Sequence, residues 1–431
     1  MTTSPTGSGV EKLDRHAAND EAVARLAGCR PRLVDVAPAI EVIPGMTPST
    51  ILTSGAPLDA AAYEGVHRRA IIGGALFEGL AASEEEAWRR VEEGQIQLRA
   101  CHDHGCVGSV AGVYTASMPV FVVEDPSSGA RSFCTIYEGP QRERLTFGVY
   151  DDVVAANLRF LREAVAPVLK DALRHSGPVD LFTVMRRALL AGDELHSRNT
   201  AATLFFSREI LPGMLEASAH DKGAVASTVE FIARSDLFFL HLAMASAKLT
   251  ADGAHGVEGS SVVTAMTASC REFSIRVSGL GSEWFRAPVP LVVAKVFEGF
   301  SPEDVADMPG ESLIMETIGL GGSAAAAAFA LQNYSGGTAS SMIAMSLNAY
   351  QFSVSEHPAL TIPFFDGRGT ALGIDVFKVV ETGVVPRIHA GAANRSGGHI
   401  GAGVMTAPLA CFEQARRRHT EVYGLAPGDA L

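Results

Sequence analysis

Seven consecutive residues near the middle of the chain, Asp193-Glu194-Leu195-His196-Ser197-Arg198-Asn199, bring two carboxylates, an imidazole, a guanidinium and an amide between two apolar runs of helical period. Asp193, Glu194 or His196 can take or give a proton or orient a neighbouring base. Arg198 can hold a carboxylate or phosphate in a fork, and Asn199 lies beside it. The plainer alternative is an interhelix turn whose charges cap helix ends.

Four further clusters carry polar chemistry. In "CHDHGCVGSVAG" (101–112), an extended backbone would put His102 and His104 on one face, where two imidazoles bind a metal or polarise a carbonyl. A divalent metal is therefore a candidate ligand, although the spacing of Cys101 and Cys106 matches no zinc ribbon or finger. Glu258 precedes an apolar strand, and Arg276 alternates with Ile275 and Val277 inside another. Side by side, the two would form a substrate clamp or a structural ion pair. In "ETIGLGGSAAAAAFAL" (316–331), Gly321, Gly322 and Ser323 open a strong helix former. Backbone N–H groups at such a start receive anions; close packing is the alternative. In 364–403, Arg368 and His389 stand among glycines, as at the strand ends of α/β sites. No G-x-S-x-G elbow is present.

The elements that must position these residues fall into three stretches. Residues 19–150 alternate short helices with β-rich runs, including a hairpin from "VYTASMPVFVVED" and "RSFCTIYEG". Residues 151–255 have helical period almost throughout. Strands return in 256–420. The expected class is α/β (mixed α+β), two mixed α/β domains with a central helical domain. Residues 1–18 read as a disordered tail and 421–431 as a second tail.

A formal charge of −13 with only 2 Trp and 7 Tyr argues against a nucleic-acid surface, since phosphates would be repelled and few rings are available for stacking. A small anionic substrate stays open, because a local arginine cluster outweighs a negative total. Six cysteines spread over 431 residues read as reduced thiols of a cytoplasmic protein. The apolar run 232–249 is broken by Arg234, Asp236 and His241, so it reads as a buried helix and not a membrane span.

Taken together, "CHDHGCVGSVAGVYTASMPVFVVED", "GDELHSRNTAAT", "VEGSSVVTAM", "FSIRVSGLGSEWFRAP", "METIGLGGSAAAAA", "DVFKVVETGVVPRIHAGAA" and "GHIGAGVMTAPLACFEQA" resemble the YlbE-like family, in order, over about residues 20–418. That family includes a subunit of bacterial oxamate carbamoyltransferase. The resemblance implies a carbamoyltransferase, or a subunit of one, that moves a carbamoyl group between oxalurate and phosphate to give oxamate and carbamoyl phosphate. Phosphate would be the co-substrate. The partners would be an FdrA-like, succinyl-CoA-synthetase-related subunit and a small third subunit, in an oligomer. On that reading His102, His104, Asp193, Glu194 and His196 carry the catalysis. Arg198, Asn199, Glu258, Arg276, Gly321, Gly322, Ser323, Arg368 and His389 bind the substrate. The alternatives are a non-catalytic scaffold or ligand-binding subunit of an FdrA-like complex, and a phosphate-independent amidohydrolase.

Overall fold

The computed structural model describes residues 14–217 and 221–424. The disordered tail expected over 1–18 lies mostly outside them. Its last residues do not: the helix Arg15–Gly28 is capped by Asp14, whose side chain accepts from the N–H groups of His16 and Ala17. Likewise the helix Leu409–Tyr423 runs into the expected second tail.

Five small sheets are present among the described residues. The largest orders Arg131–Thr135, Pro119–Glu124, Arg32–Pro38 and Val179–Asp180, all antiparallel. Its first two strands are the hairpin that the β-branched runs around "PSSGA" predict. A second sheet has Thr50–Thr53 at its centre, parallel to Gln97–Ala100 and antiparallel to Val113–Tyr114. The strands Val263–Ala268, Glu272–Val277 and Phe285–Pro288 form a third. Val293–Val296, His399–Thr406 and Arg387–Ala393 form a fourth. A hairpin of Ser353–Ile362 and Arg368–Ile374 is the fifth. Helices dominate from Asp152 to Gly253, interrupted by one two-residue strand. The class is α/β with mixed elements.

The main apolar core draws on residues from Ala18 to Ala393, so early, middle and late segments share it. Arg15 shows how tightly they interleave. Its Nη1 lies 2.8 Å from Asp375 Oδ2, and both residues are buried. Burying that pair is tolerable because Ser261 and Asn19 also bond to Asp375. The helix Phe238–Gly253 is buried along almost its whole length, although it contains His241 and Lys248. No helix among the described residues is long and apolar enough to cross a membrane.

The segment 316–331 departs from the expected helix start. Gly321–Ala327 forms 3₁₀ turns, with φ of +57° at Gly321. A side chain at Gly322 would collide with the Arg387 carbonyl. Gly322 therefore serves close packing against the strand Arg387–Ala393 and Gly321 the approach of the Glu316 carboxylate, not the opening of an α-helix.

Candidate active site

The seven-residue stretch forms the loop between the helices Leu181–Leu190 and Thr200–Ala217. It is folded around its own carboxylates. Asp193 Oδ2 accepts from the Ala202 N–H at 2.8 Å and Oδ1 faces Arg198 Nε at 3.3 Å, so Asp193 caps the following helix. Burial pushes its carboxyl up to about 6. Glu194 accepts from the backbone N–H groups of His196, Ser197 and Arg198. Leu195, at φ +70°, makes the reversal that allows this wrap.

From this loop two acid–imidazole pairs extend into the interior. His389 Nδ1 donates to Glu194 Oε1 at 2.7 Å. His196 Nδ1 lies 2.9 Å from Glu316 Oε1 and 3.0 Å from Oε2. Glu316 also accepts from the N–H groups of Gly322 and His389, and the Gly321 N–H donates to the Glu194 carbonyl. All four side chains are buried. Burial alone would raise the Glu194 carboxyl, but the hydrogen bond and charge of His389 outweigh it and the net shift is downward. Burial would lower His196, and Glu316 reverses that too. The shifts favour an ionised Glu194 and a protonated His196.

His389 is the member that lines a cavity. With Nδ1 committed to a carboxylate, its Nε2 carries the lone pair and has no hydrogen-bond partner among the described residues. The residue lines a cavity of about 540 Å³ together with Lys295, Arg387, Gly336, Gly337 and Asn348. Its strand, Arg387–Ala393, places Arg387 two positions before it, on the same face. A base with a fixed tautomer beside two cations can move a proton on an anionic ligand.

The other expected residues are dispersed and do not gather around this cavity. Cys101–His104 is one 3₁₀ turn closed by Gly105 and not an extended segment, so His102 and His104 part company. His104 bonds the Pro44 carbonyl at 2.7 Å. His102 is buried edge-on to Trp284, with Nε2 3.6 Å from Glu311 Oε1. Burial, then Lys248 and Arg276, drives its basicity far down. Arg276 belongs to this second cluster, but its partner is Asp252 at 2.8 Å; Glu258 is exposed. Arg368 is exposed, held by Glu356 through Nε at 2.8 Å and Nη2 at 2.6 Å over the Tyr350 ring. Gly321, Gly322 and Ser323 offer no anion nest, because their N–H groups are already bonded to the Glu194 carbonyl, the Glu316 carboxylate and the Leu320 carbonyl. Arg198 and Asn199 line a different cavity.

Sequence reasoning missed Glu316, Lys295, Arg387 and Glu311. Arg387 was within reach, since strand alternation pairs it with His389. Glu316 sits in the quoted "METIGLGG", but only the fold shows that its carboxylate turns back to His196. No group of three or more His, Cys, Asp or Glu side chains converges as a metal set among the described residues.

Comparison with known proteins agrees with this fold. The chain is 37% identical over 411 residues to the uncharacterised protein YahG of Escherichia coli K12, covering 95% of this chain and 87% of the relative. It is 37% identical over 413 residues to the oxamate carbamoyltransferase subunit AllG of the same strain, covering 95% and 98%. A crystal structure of a conserved Enterococcus faecalis V583 protein of unknown function superposes with a TM-score of 0.92 at 36% identity, covering 94% of this chain and 98% of that one. The model of the family described as oxamate carbamoyltransferase subunit AllG matches residues 96–312. With both of its interlocked acid–imidazole pairs inside a fold shared almost end to end with these relatives, the chain belongs to the AllG family of oxamate carbamoyltransferase subunits.

Proposed function

We propose that this chain is a catalytic subunit of a carbamoyltransferase, moving a carbamoyl group between a small N-carbamoyl carboxylate such as oxalurate and phosphate. The products are oxamate and carbamoyl phosphate. The observation that carries the reading is the Glu194–His389 pair, with His389 in the lining of a cavity of about 540 Å³ that Lys295 and Arg387 also line.

The chemistry follows from that pair. A phosphate oxygen attacks the ureido carbonyl carbon, the carbonyl reforms, and the C–N bond to the departing nitrogen breaks. Hydrogenphosphate loses a proton and the departing nitrogen gains one. His389 Nε2 takes the first and delivers the second, while Glu194 stabilises the imidazolium formed between the two steps. Lys295 and Arg387 offset the negative charge of the two reactants. His196 and Glu316 act through Glu194, as positioning residues. The assembly is read as including an FdrA-like subunit and a small third subunit, and the cytoplasm as its place of work.

An assay of the assembled enzyme with oxalurate and phosphate tests this. The expected result is phosphate-dependent release of oxamate, cut about 10²–10⁴-fold by His389→Ala with the assembly intact. An unchanged rate in His389→Ala moves the chemistry to a partner and leaves this chain a scaffold. Turnover without phosphate favours amide hydrolysis instead.

A further inference from the structure

A second cavity, of about 350 Å³, shares no lining residue with the first. Its charge is unusual for a chain of formal charge −13: Arg142, Arg198 and Arg234 line it, against the single carboxylate of Asp236. Arg142 rests on the Phe300 ring, with no carboxylate within ion-pairing distance among the described residues. Arg198 is spread over the Gly192 carbonyl, Thr200 Oγ1 and Asp193, at 3.1–3.3 Å. Arg234 is tied to Glu230 on its own helix. The guanidinium of Arg142 is thus the least committed of the three.

The cavity also has an unmet acceptor. Asn199 lines it and is 1% exposed. Its Nδ2 donates to the His196 carbonyl at 3.1 Å, but its Oδ1 has no donor. A buried carbonyl oxygen without a partner is costly, and such groups in native proteins call for an explanation. Cations at one place and a bare acceptor at another describe one kind of guest: negative at one end, with N–H at the other.

We propose that this second cavity binds a small carboxylate carrying an N–H group on the adjacent carbon, at a site separate from the His389 cavity. The guanidinium of Arg142, with Arg198, takes the carboxylate, and Asn199 Oδ1 accepts the N–H. The Ser197 and Arg198 N–H groups that border this site grip the carboxylate of Glu194, which in turn holds His389. The choice of an amide as probe rests on the transfer reading above; the site itself does not. Both an amide and an ammonium offer the N–H, and the two are separated by the ligands used.

Titration calorimetry on the purified full-length chain tests the site with oxamate, glycine and acetate at constant ionic strength. Oxamate (amide N–H) or glycine (ammonium N–H) should saturate at a concentration at least tenfold below that needed for acetate, which lacks N–H. Arg142→Ala and Asn199→Leu should each weaken binding at this site about tenfold or more, while Lys295→Ala, which acts on oxamate only in the other cavity, changes this binding event less than twofold. Arg142 is exposed, so its variant reports binding even if Asn199→Leu folds poorly. Acetate binding as well as the other two overturns the role of Asn199. Loss of binding in Lys295→Ala but not in Arg142→Ala puts the ligand in the other cavity and overturns the site. Saturation by neither probe overturns it as well. If phosphate-dependent turnover survives in an assembly whose chain binds neither probe, only this site falls and the transfer reading stands.

Discussion

Leu195 keeps a backbone conformation that leucine rarely adopts, φ +70°, with its side chain fully buried. Replacement by glycine would relieve roughly 1–2 kcal/mol of left-handed strain. It would also remove a buried leucine, which costs about 2–5 kcal/mol. Packing wins, so Leu195→Gly should be destabilised by about 1–3 kcal/mol in denaturant unfolding. A more stable variant would show that strain dominates at this loop. Part of the site at this scale was readable in advance. Glu194 and His196 stand in sequence where residue type points to acid–base work, His389 where it points to substrate binding, and all three join the buried network. What could not be read was pairing. The partner of His196 lies 120 residues away, and the partner of Glu194 lies 195 away. His102 and His104 misled because alternation assumes an extended backbone, and a 3₁₀ turn breaks it.

Glu311 does for separate elements what Glu194 does for one loop. Its carboxylate accepts from the Gly55 N–H, the Gly108 N–H and the Thr267 hydroxyl, tying three segments together. Glu311→Ala leaves two buried backbone donors unpaired, a loss of about 2–6 kcal/mol at 1–3 each. Glu311→Gln keeps an acceptor and should cost less. Burial pushes the Glu311 carboxyl up to about 8. The folded state therefore holds a proton that the unfolded chain has released, and its contribution to stability falls as pH rises from about 4.5 to 8. The stability gap between wild type and Glu311→Gln should narrow across that window. Thermal midpoints measured from pH 5 to 9 check it, and a constant gap would show that Glu311 stays ionised. Strands at this level were legible from β-branched runs. The 3₁₀ turns at Gly321–Ala327 were not, because alanine content favours an α-helix and only the fold brings Gly322 against the Arg387 carbonyl.

Across the whole molecule, acid should unfold this protein earlier than its carboxylates alone would suggest. Burial holds His67 and His399 down at about 3, and His241 and His357 at about 4. These groups are neutral when folded and take up protons on unfolding below pH 6.5. Their contribution is complete above 6.5 and is lost as pH falls through about 4. Glu311 and Asp193, with raised carboxyls, pull the other way. With His102, His255 and His419 also lowered and Glu138 also raised, seven depressed imidazoles outnumber three raised carboxyls, so net stability falls from pH 6.5 to 4.5. A thermal midpoint that stays level over that range would contradict this balance. The mixed class of elements was visible in the sequence, but the interleaving was not. Nothing in local pattern says that the first helix reaches Asp375, because that contact is decided by tertiary packing between distant segments.

The carboxylate of Glu194 serves two chambers at once, gripping His389 for one and the 196–198 backbone for the other. Directed evolution that randomised position 194 would retune both together and select for neither. A library meant to change what the smaller chamber admits should keep 194 fixed and vary 142 and 234; one aimed at the larger chamber should vary 295 and 348.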